Sequence, residues 1–453
     1  MVKNFMLKKF FTYPVFLVLF LSFIGAMGFG AIVKYNYDGG EKYQFLQKTV
    51  MLIAEFPLNL RKMIKYRSFD LNKMEPLIRH KNKKRFEQFI ENKRNALLVL
   101  PRYEHSLSRS VIDIIDLNNF EIIHTYKHDI VKWHNQVTNT KEFPRLKIEN
   151  SPTRFIYQHP LLFDDGSLIS KGLYDPLYKL DFCSNLKWIN DEEGFHHSQM
   201  IDHEDNIWVG ARMNPKSKYF KKYKIKDVYD DSIIKINTQG QILFNKSVVE
   251  ILIENKLLDI NIFSFGDPIH LNDIEPAFTN TEYWKQGDVF ISMRNQSAII
   301  HYRPSTNKVI NYITGPFAQQ HDVDIISEKE ISIFNNNNFI TDKGLPYNEY
   351  SEVIIYNFET KKFRTLFNNQ LQKENFQTEY QGLSHIFNDG ALMVEEQNHG
   401  RIILFNNQGK KEWEFVNKDK NDDIGQIFWS RVIEDELFIE KLKSLINSKK
   451  CLN

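Results

Sequence analysis

The hydrophobic pattern divides the chain into three regimes. From Phe10 to Val33 there is no charged residue, a run just above the ~20 residues that carry a helix across a hydrocarbon core. Between residues 34 and 94, Phe45, Leu46, Val50, Ile53, Leu60 and Ile64 recur at near-helical spacing, with Pro57 as a kink, which predicts a short helical juxtamembrane segment. After residue 94 the period falls to two. Paired alternating runs flank a polar turn in Val111–Tyr126, Leu177–Ile189, Ile233–Phe244, Ile299–Ile313, Val353–Leu366 and Ile402–Phe415. Ahead of all but the first lies a second hairpin: Phe163–Ile169, Asp202–Val209, Lys285–Ile291, Ile326–Phe334 and Phe387–Val394. Two hairpins make four strands, the unit of a propeller blade. A sandwich would stop at roughly 7–9 strands. The expected fold is all-β, a six-bladed β-propeller over residues 95–440. Insertions are expected at Glu275–Trp284 and Asn335–Tyr350, and a tail at 441–453.

Charge orients the first segment. Lys3, Lys8 and Lys9 precede the apolar run, whereas Lys34 is soon balanced by Asp38 and Glu41. The asymmetry places residues 1–9 in the cytoplasm and everything after the span at 10–33 outside it. A single-pass inner-membrane protein with its propeller in the periplasm is expected. Ala26, Gly28, Gly30 and Ala31 also suit a cleavable signal peptide, but the apolar core of such peptides is only about 7–15 residues, which favours an uncleaved anchor. The basic run Arg79, His80, Lys81, Lys83, Lys84 and Arg85 reads as a solvated helix face rather than a headgroup patch.

Composition narrows the function classes. Apolar residues at 42% and charged residues at 26% are those of a folded protein, and Lys+Arg 59 against Asp+Glu 57 leaves no cationic field for nucleic acid. The 36 Phe fit either an aromatic-packed β-fold or a codon bias that also enriches Ile, Asn and Lys. Two cysteines, Cys183 and Cys451, exclude a disulfide framework, a Cys-rich zinc site and an iron–sulfur cluster. Cys183 falls in a hairpin turn and Cys451 in the tail, so both are expected unpaired. No Walker loop, Gly-x-Gly-x-x-Gly, Gly-x-Ser-x-Gly or His-Glu-x-x-His occurs, so neither a cofactor nor a metal is expected.

The histidines fall in a pattern. A propeller's innermost strands start at one mouth of the central channel, and His159, His197, His270 and His321 stand at such starts, while His385 fits the spacing less well. A single histidine there is ordinarily packed or solvated; several converging on one axis make a site. A transition metal is one occupant for clustered imidazoles. Arg294, in the same blade as His270, points the other way: a guanidinium repels a dication and clamps an oxyanion.

Four strings carry a family resemblance: His196-His197 with Asp205-Asn206-Ile207-Trp208-Val209; His270-Leu271-Asn272-Asp273-Ile274; Ser292-Met293-Arg294-Asn295-Gln296-Ser297; and Gly315-Pro316 followed by Gln320-His321-Asp322. In this order, across residues 150–415, they resemble the bacterial arylsulfate sulfotransferases. That resemblance implies a six-bladed propeller that moves a sulfuryl group from an aryl sulfate to a phenolic acceptor without a nucleotide sulfate donor. It implies that His321 is the nucleophile, that His270 and Arg294 bind the sulfuryl group, and that His197, or less favourably His196, is a further active-site histidine. Asn272 and His196 are then expected to contact substrate. Two features depart from the family. Its best-known members begin with a β-domain for dimerisation where this chain has the apolar run, and they hold a disulfide before the nucleophile where this chain has no cysteine.

The chemistry agrees independently. A sulfuryl group keeps its charge on three oxygens through a loose transition state, as a phosphoryl group does, and needs fixed positive donors such as Arg294 and His270. A neutral imidazole at His321 is a competent nucleophile, and one at His197 can move the phenol proton. The competing expectation is a membrane-anchored propeller that only binds a ligand or a protein, because this architecture hosts unrelated functions.

Overall fold

The computed structural model describes residues 2–37, 76–91, 94–139, 151–222, 228–258, 266–340, 346–348, 350–449 and 451, with isolated positions at 49–50, 53–54 and 74. Contacts divide the chain into Met1–Leu71 and Asn72–Asn453. In the first unit, helix α1 (Val2–Tyr37) contains the stretch Pro14–Tyr35, long and apolar enough to cross a membrane. Val50 and Ile53 are helical; Phe45, Leu46, Pro57, Leu60 and Ile64 lie outside the described residues.

The second unit is an all-β, propeller-like body. Its antiparallel strands run from the channel outward in chain order: Leu271–Pro276, Val289–Met293, Ala298–Arg303 and Lys308–Ile313 form one sheet. Val323–Ile325, Glu330–Asn335, Glu352–Asn357 and Lys362–Leu366 form the next. Middle strands such as Val289–Met293 are buried along their whole length, because each sheet is covered on both faces by its neighbours. Phe290 and Ile299 of the 271–313 sheet pack against Ile331, Ile333 and Ile354 of the next. Val353 and Ile355 then meet Leu392 and Ile403 of the sheet after that. The hairpin turns reuse one device. Asp181, Asp202, Asn237, Asn406 and Asp419 each accept, on one side-chain oxygen, the backbone N–H groups two and four residues on.

The ring closes by exchange of chain ends. Arg431–Ile433 pairs with Leu97–Glu104, putting Leu97 opposite Ile433 at the inner edge of the first sheet. Phe86–Gln88 pairs with Lys411–Val416, putting Phe86 opposite Phe415 at the outer edge of the last. Each sheet edge that closure would leave bare is thereby covered.

Four expectations are corrected. Six separate blades are not found: among the described residues there are four sheets of four or five strands, one of seven, and a two-stranded sheet of Asn338–Ile340 with Pro346–Asn348. The cause is Leu186–Ile201, a continuous 16-residue strand that pairs on both sides and never breaks between hairpins. The helical reading fails over residues 76–91, which are turn and strand. The basic run is held by the propeller's carboxylates: His80 Nε2 lies 2.6 Å from Glu396, Arg79 3.3 Å from the same carboxylate, and Lys83 2.5 Å from Glu414. The tail is ordered as helix α2 (Glu436–Ser448), capped by Asp435, its Ile439 and Leu442 buried against the sheets that carry Ile112 and Tyr178. That helix returns the chain to the first blades, and Cys451 is disulfide-bonded to Cys183 rather than free. The unpaired expectation treated the tail as mobile; an amphipathic helix with a buried face is not.

Candidate functional site

The histidine-bearing strand starts share a backbone feature. His159, His197, His270, Gln319, Gln381 and Trp429 all adopt positive φ, between 41° and 60°, and all lie outside the hairpin turns. Left-handed backbone in a non-glycine residue costs of order 1–3 kcal/mol and collects at functional sites. Here it turns side chains at the channel mouth toward one another. His197 has its ring centroid 5.2 Å from His270, 6.2 Å from His321 and 6.0 Å from Trp429, and Trp429 is 6.2 Å from His321. His159 also lies edge-on to that indole, at 5.4 Å, and its Nε2 is 2.9 Å from Arg431. His385 is elsewhere, 3.4 Å from Glu434.

His270 and Arg294 converge because their strands are neighbours. Leu271 pairs with Met293, and the N–H of Arg294 donates to the carbonyl of His270. The guanidinium then hydrogen-bonds two neutral amides, Asn295 Oδ1 and Gln319 Oε1, each at 2.8 Å. Among the described residues no carboxylate lies within ion-pair distance of it, so its charge faces the site. Burial lowers its pKa. Behind His270, Asp267 accepts from its Nδ1 at 2.8 Å. Burial pushes that carboxyl up, but the His270 contacts and the Arg212 charge outweigh it and hold Asp267 near 2.

The position of His321 is set from both sides. Its neighbour Gln320 is plugged into the adjoining sheet, donating to Ser292 Oγ and to the carbonyls of Met293 and Ala298. Asn272 Nδ2 donates to the Gln320 carbonyl at 2.8 Å, while the buried Asn272 Oδ1 has no hydrogen-bond partner. Asn336 spends its Nδ2 on the carbonyls of Thr378 and Gln381, so its Oδ1 can only accept, 2.6 Å from His321 Nδ1. The imidazole is therefore protonated on Nδ1 and carries its lone pair on Nε2, which receives the Gln381 N–H at 3.0 Å. Burial first, then the Arg294 charge, holds its pKa well below the ordinary histidine value. His321 is neutral.

His196 and His197 are neighbours that touch, Nδ1 to Nδ1 at 2.6 Å. Burial lowers the pKa of both. His197 borders His270 and His321; His196 lies behind it, 3.4 Å from Asp231. Deeper in the channel, burial raises Asp273, to about 7, and Glu275, Asp322 and Asp324 with it. Among the described residues no group of three or more His, Cys, Asp or Glu side chains is arranged to hold a metal ion.

The family model for arylsulfotransferase (ASST) matches residues 159–418, more than half of the chain. This chain belongs to the arylsulfotransferase family. All six predicted site residues, His196, His197, His270, Asn272, Arg294 and His321, fall inside the match. No curated protein sequence gives a significant match. Among solved structures, a protein of unknown function from Bacteroides caccae is similar at 12% identity and TM-score 0.46, covering 75% of this chain and 99% of that one. An inactive virginiamycin B lyase variant from Staphylococcus aureus with quinupristin is similar at 11% identity and TM-score 0.32, covering 57% and 69%. Likenesses at this level bear on neither mechanism nor partner.

Four residues of the candidate site in this arylsulfotransferase-family chain escape a reading of the sequence: Trp429, Asn336, Gln381 and Asp231. Trp429 had a signal, since Trp429-Ser430 stands just before the last inner strand, Arg431–Ile433, as an aromatic-ring–serine pair like His197-Ser198 within Leu186–Ile201. Asn336 and Gln381 had none, lying in an insertion and a loop that contact His321 only in three dimensions.

Proposed function

We propose that this chain is a membrane-anchored aryl sulfate sulfotransferase working through a sulfohistidine at His321. The observation that carries the reading is the neutral, Nδ1-protonated His321 near a guanidinium that, among the described residues, has no carboxylate within ion-pair distance. In the first half-reaction Nε2 attacks sulfur, the S–O bond to the aryl group breaks, and Arg294 and His270 hold the sulfuryl oxygens. In the second, the acceptor oxygen attacks sulfur, the N–S bond breaks, and His197 takes the acceptor's proton. Asn272, whose Oδ1 is unpartnered, is assigned to substrate contact. Helix α1 is assigned as the anchor, with the body in the periplasm.

The test is to incubate the full-length protein with a chromogenic aryl sulfate and a phenol. Turnover with ping-pong kinetics is expected, and its absence under all donors would sink the assignment. One observation favours a binding-only propeller: the Gln381 N–H occupies the lone pair of His321. On the catalytic reading that N–H leaves when a donor enters.

A further inference from the structure

Adjacent residues of a strand point to opposite faces, yet His196 and His197 meet ring to ring. The register of Leu186–Ile201 against Ile207–Arg212 slips between His196 and Gln199, and His197 sits at φ 55° within that bulge. The bulge swings His197 onto the side of His196, a device that re-aims side chains next to active sites.

What lies behind the pair gives the arrangement a direction. Asp231 Oδ1 is 3.4 Å from His196 Nε2. The carboxylate is fixed by its other oxygen, which accepts the Leu271 N–H at 2.8 Å. Arg212 braces it, with Nε 3.9 Å from Asp231 and Nη2 3.2 Å from Asp267. The guanidinium is itself clamped between the rings of Tyr174 and Tyr229, at 3.8 and 3.4 Å. One arginine thus backs two aspartates, and each aspartate backs an imidazole.

We propose that Asp231 and His196 form a proton relay with His197, Asp231 acting as a positioning residue that decides which nitrogen of His197 carries the lone pair. At 3.4 Å Asp231 Oδ1 and His196 Nε2 are within ion-pair distance but close no hydrogen bond, so the carboxylate acts through its charge, which favours the proton on the nearer nitrogen: His196 is protonated on Nε2 and bare on Nδ1. Only one proton fits between two nitrogens 2.6 Å apart. It therefore belongs to His197 Nδ1, and His197 Nε2 is bare. When the acceptor phenol attacks sulfur, its O–H bond breaks and the proton goes to His197 Nε2. The positive charge spreads through the Nδ1 contact to His196 and is met by Asp231. In the first half-reaction, with His197 Nε2 bare, the aryl oxide leaves as its anion; after the second, His197 gives the accepted proton to solvent and Nε2 is bare again. His197 is also faced by His270, His321, Trp429 and the buried Lys171, whose Nζ donates to the His197 carbonyl at 2.6 Å. His196 is faced by His270, Arg212 and the ring of Tyr174. Asp231 is the carboxylate in contact with the pair.

The relay rests on the transferase reading, and two measurements on the full-length protein in detergent separate them. In ping-pong kinetics, kcat/KM for the acceptor reports the second half-reaction alone. Across substituted phenols as acceptors, Asp231→Asn and His196→Gln should cost about threefold for a nitrophenol, which is already ionised at pH 8, and about 100-fold for unsubstituted phenol, which must lose its proton. An equal loss along the series, or none, overturns the relay. Nitrogen-15 histidine spectra read the tautomers without turnover: His197 should be protonated on Nδ1 in the wild type, and Asp231→Asn should change that. An unchanged tautomer overturns the relay. A tautomer that changes in a protein that turns over no aryl sulfate overturns the transferase reading and leaves the relay standing.

Discussion

Asn336 Oδ1 lies 2.6 Å from His321 Nδ1, and because both hydrogens of that amide are spent on backbone carbonyls, the contact fixes the tautomer of the imidazole. The attacking lone pair exists only while His321 is neutral. Activity should therefore persist into mildly acidic solution and fall as pH drops through the depressed pKa of His321. Asn336→Asp puts a carboxylate where the amide was and favours the imidazolium. The acidic limb of the pH–rate profile should move up by roughly 1–3 pH units. An unmoved limb would assign it to another group.

Among the described residues, no carboxylate lies within ion-pair distance of Arg294, whose guanidinium bonds two neutral amides. Arg294→Ala should keep the fold and lose about 3–4 orders of magnitude in turnover at most, by analogy with the arginine of phosphoryl transfer. Arg294→Lys should recover only part, since an ammonium lacks the planar fork. His321→Ala should abolish transfer, and chelators should leave the wild-type rate unchanged. Near wild-type turnover by His321→Ala would place the nucleophile elsewhere.

Glu275 is an isostere test of the channel's crowded carboxylates. Burial first, then Asp324 and Asp273, raises its pKa well above the ordinary value, and its buried Oε2 has no hydrogen-bond partner. The folded protein thus binds this proton more tightly than the unfolded chain, and its contribution to stability is present at low pH and lost as pH rises through the raised pKa. Glu275→Gln should therefore stabilise by roughly 1–3 kcal/mol at pH 8 and by little at pH 5. Melting temperatures at the two pH values decide it; equal shifts would exclude a titration origin.

The Cys183–Cys451 bridge should be worth about 2–4 kcal/mol. Cys451→Ser should lower the melting temperature and raise hydrogen exchange through Glu436–Ser448. If exchange there is unchanged, the packing of Ile439 and Leu442 holds the helix without the bond.

Period-two alternation exposed the propeller because its blade strands are local objects. The hairpins at Ile299–Ile313 and Val353–Leu366, for example, coincide with paired strands. What stayed hidden is non-local or too short to show a period. Phe86–Gln88 is three residues in a basic stretch, and its strand character comes wholly from Phe415, Glu414 and Trp413 opposite it. Helix α2 has an apolar stripe, but only docking against Tyr178 and Leu180 brings Cys451 to Cys183. His197 and His196 were named together, yet the bulge that sorts them into a front and a rear imidazole is a matter of register, which no spacing along one strand discloses.

Exchange of chain ends also dictates a schedule. A ribosome or translocon delivers Leu97–Glu104 long before Arg431–Ile433, its closing partner, so through most of synthesis the first sheet has an unsatisfied inner edge. Such an edge is a template for pairing with other nascent chains, and a holdase that masks it should be needed until the closing strand emerges. Cys451 follows that strand. Its bond to Cys183 can therefore form only after the segment that shuts the ring is available, which makes the oxidised protein a molecular record of completed assembly.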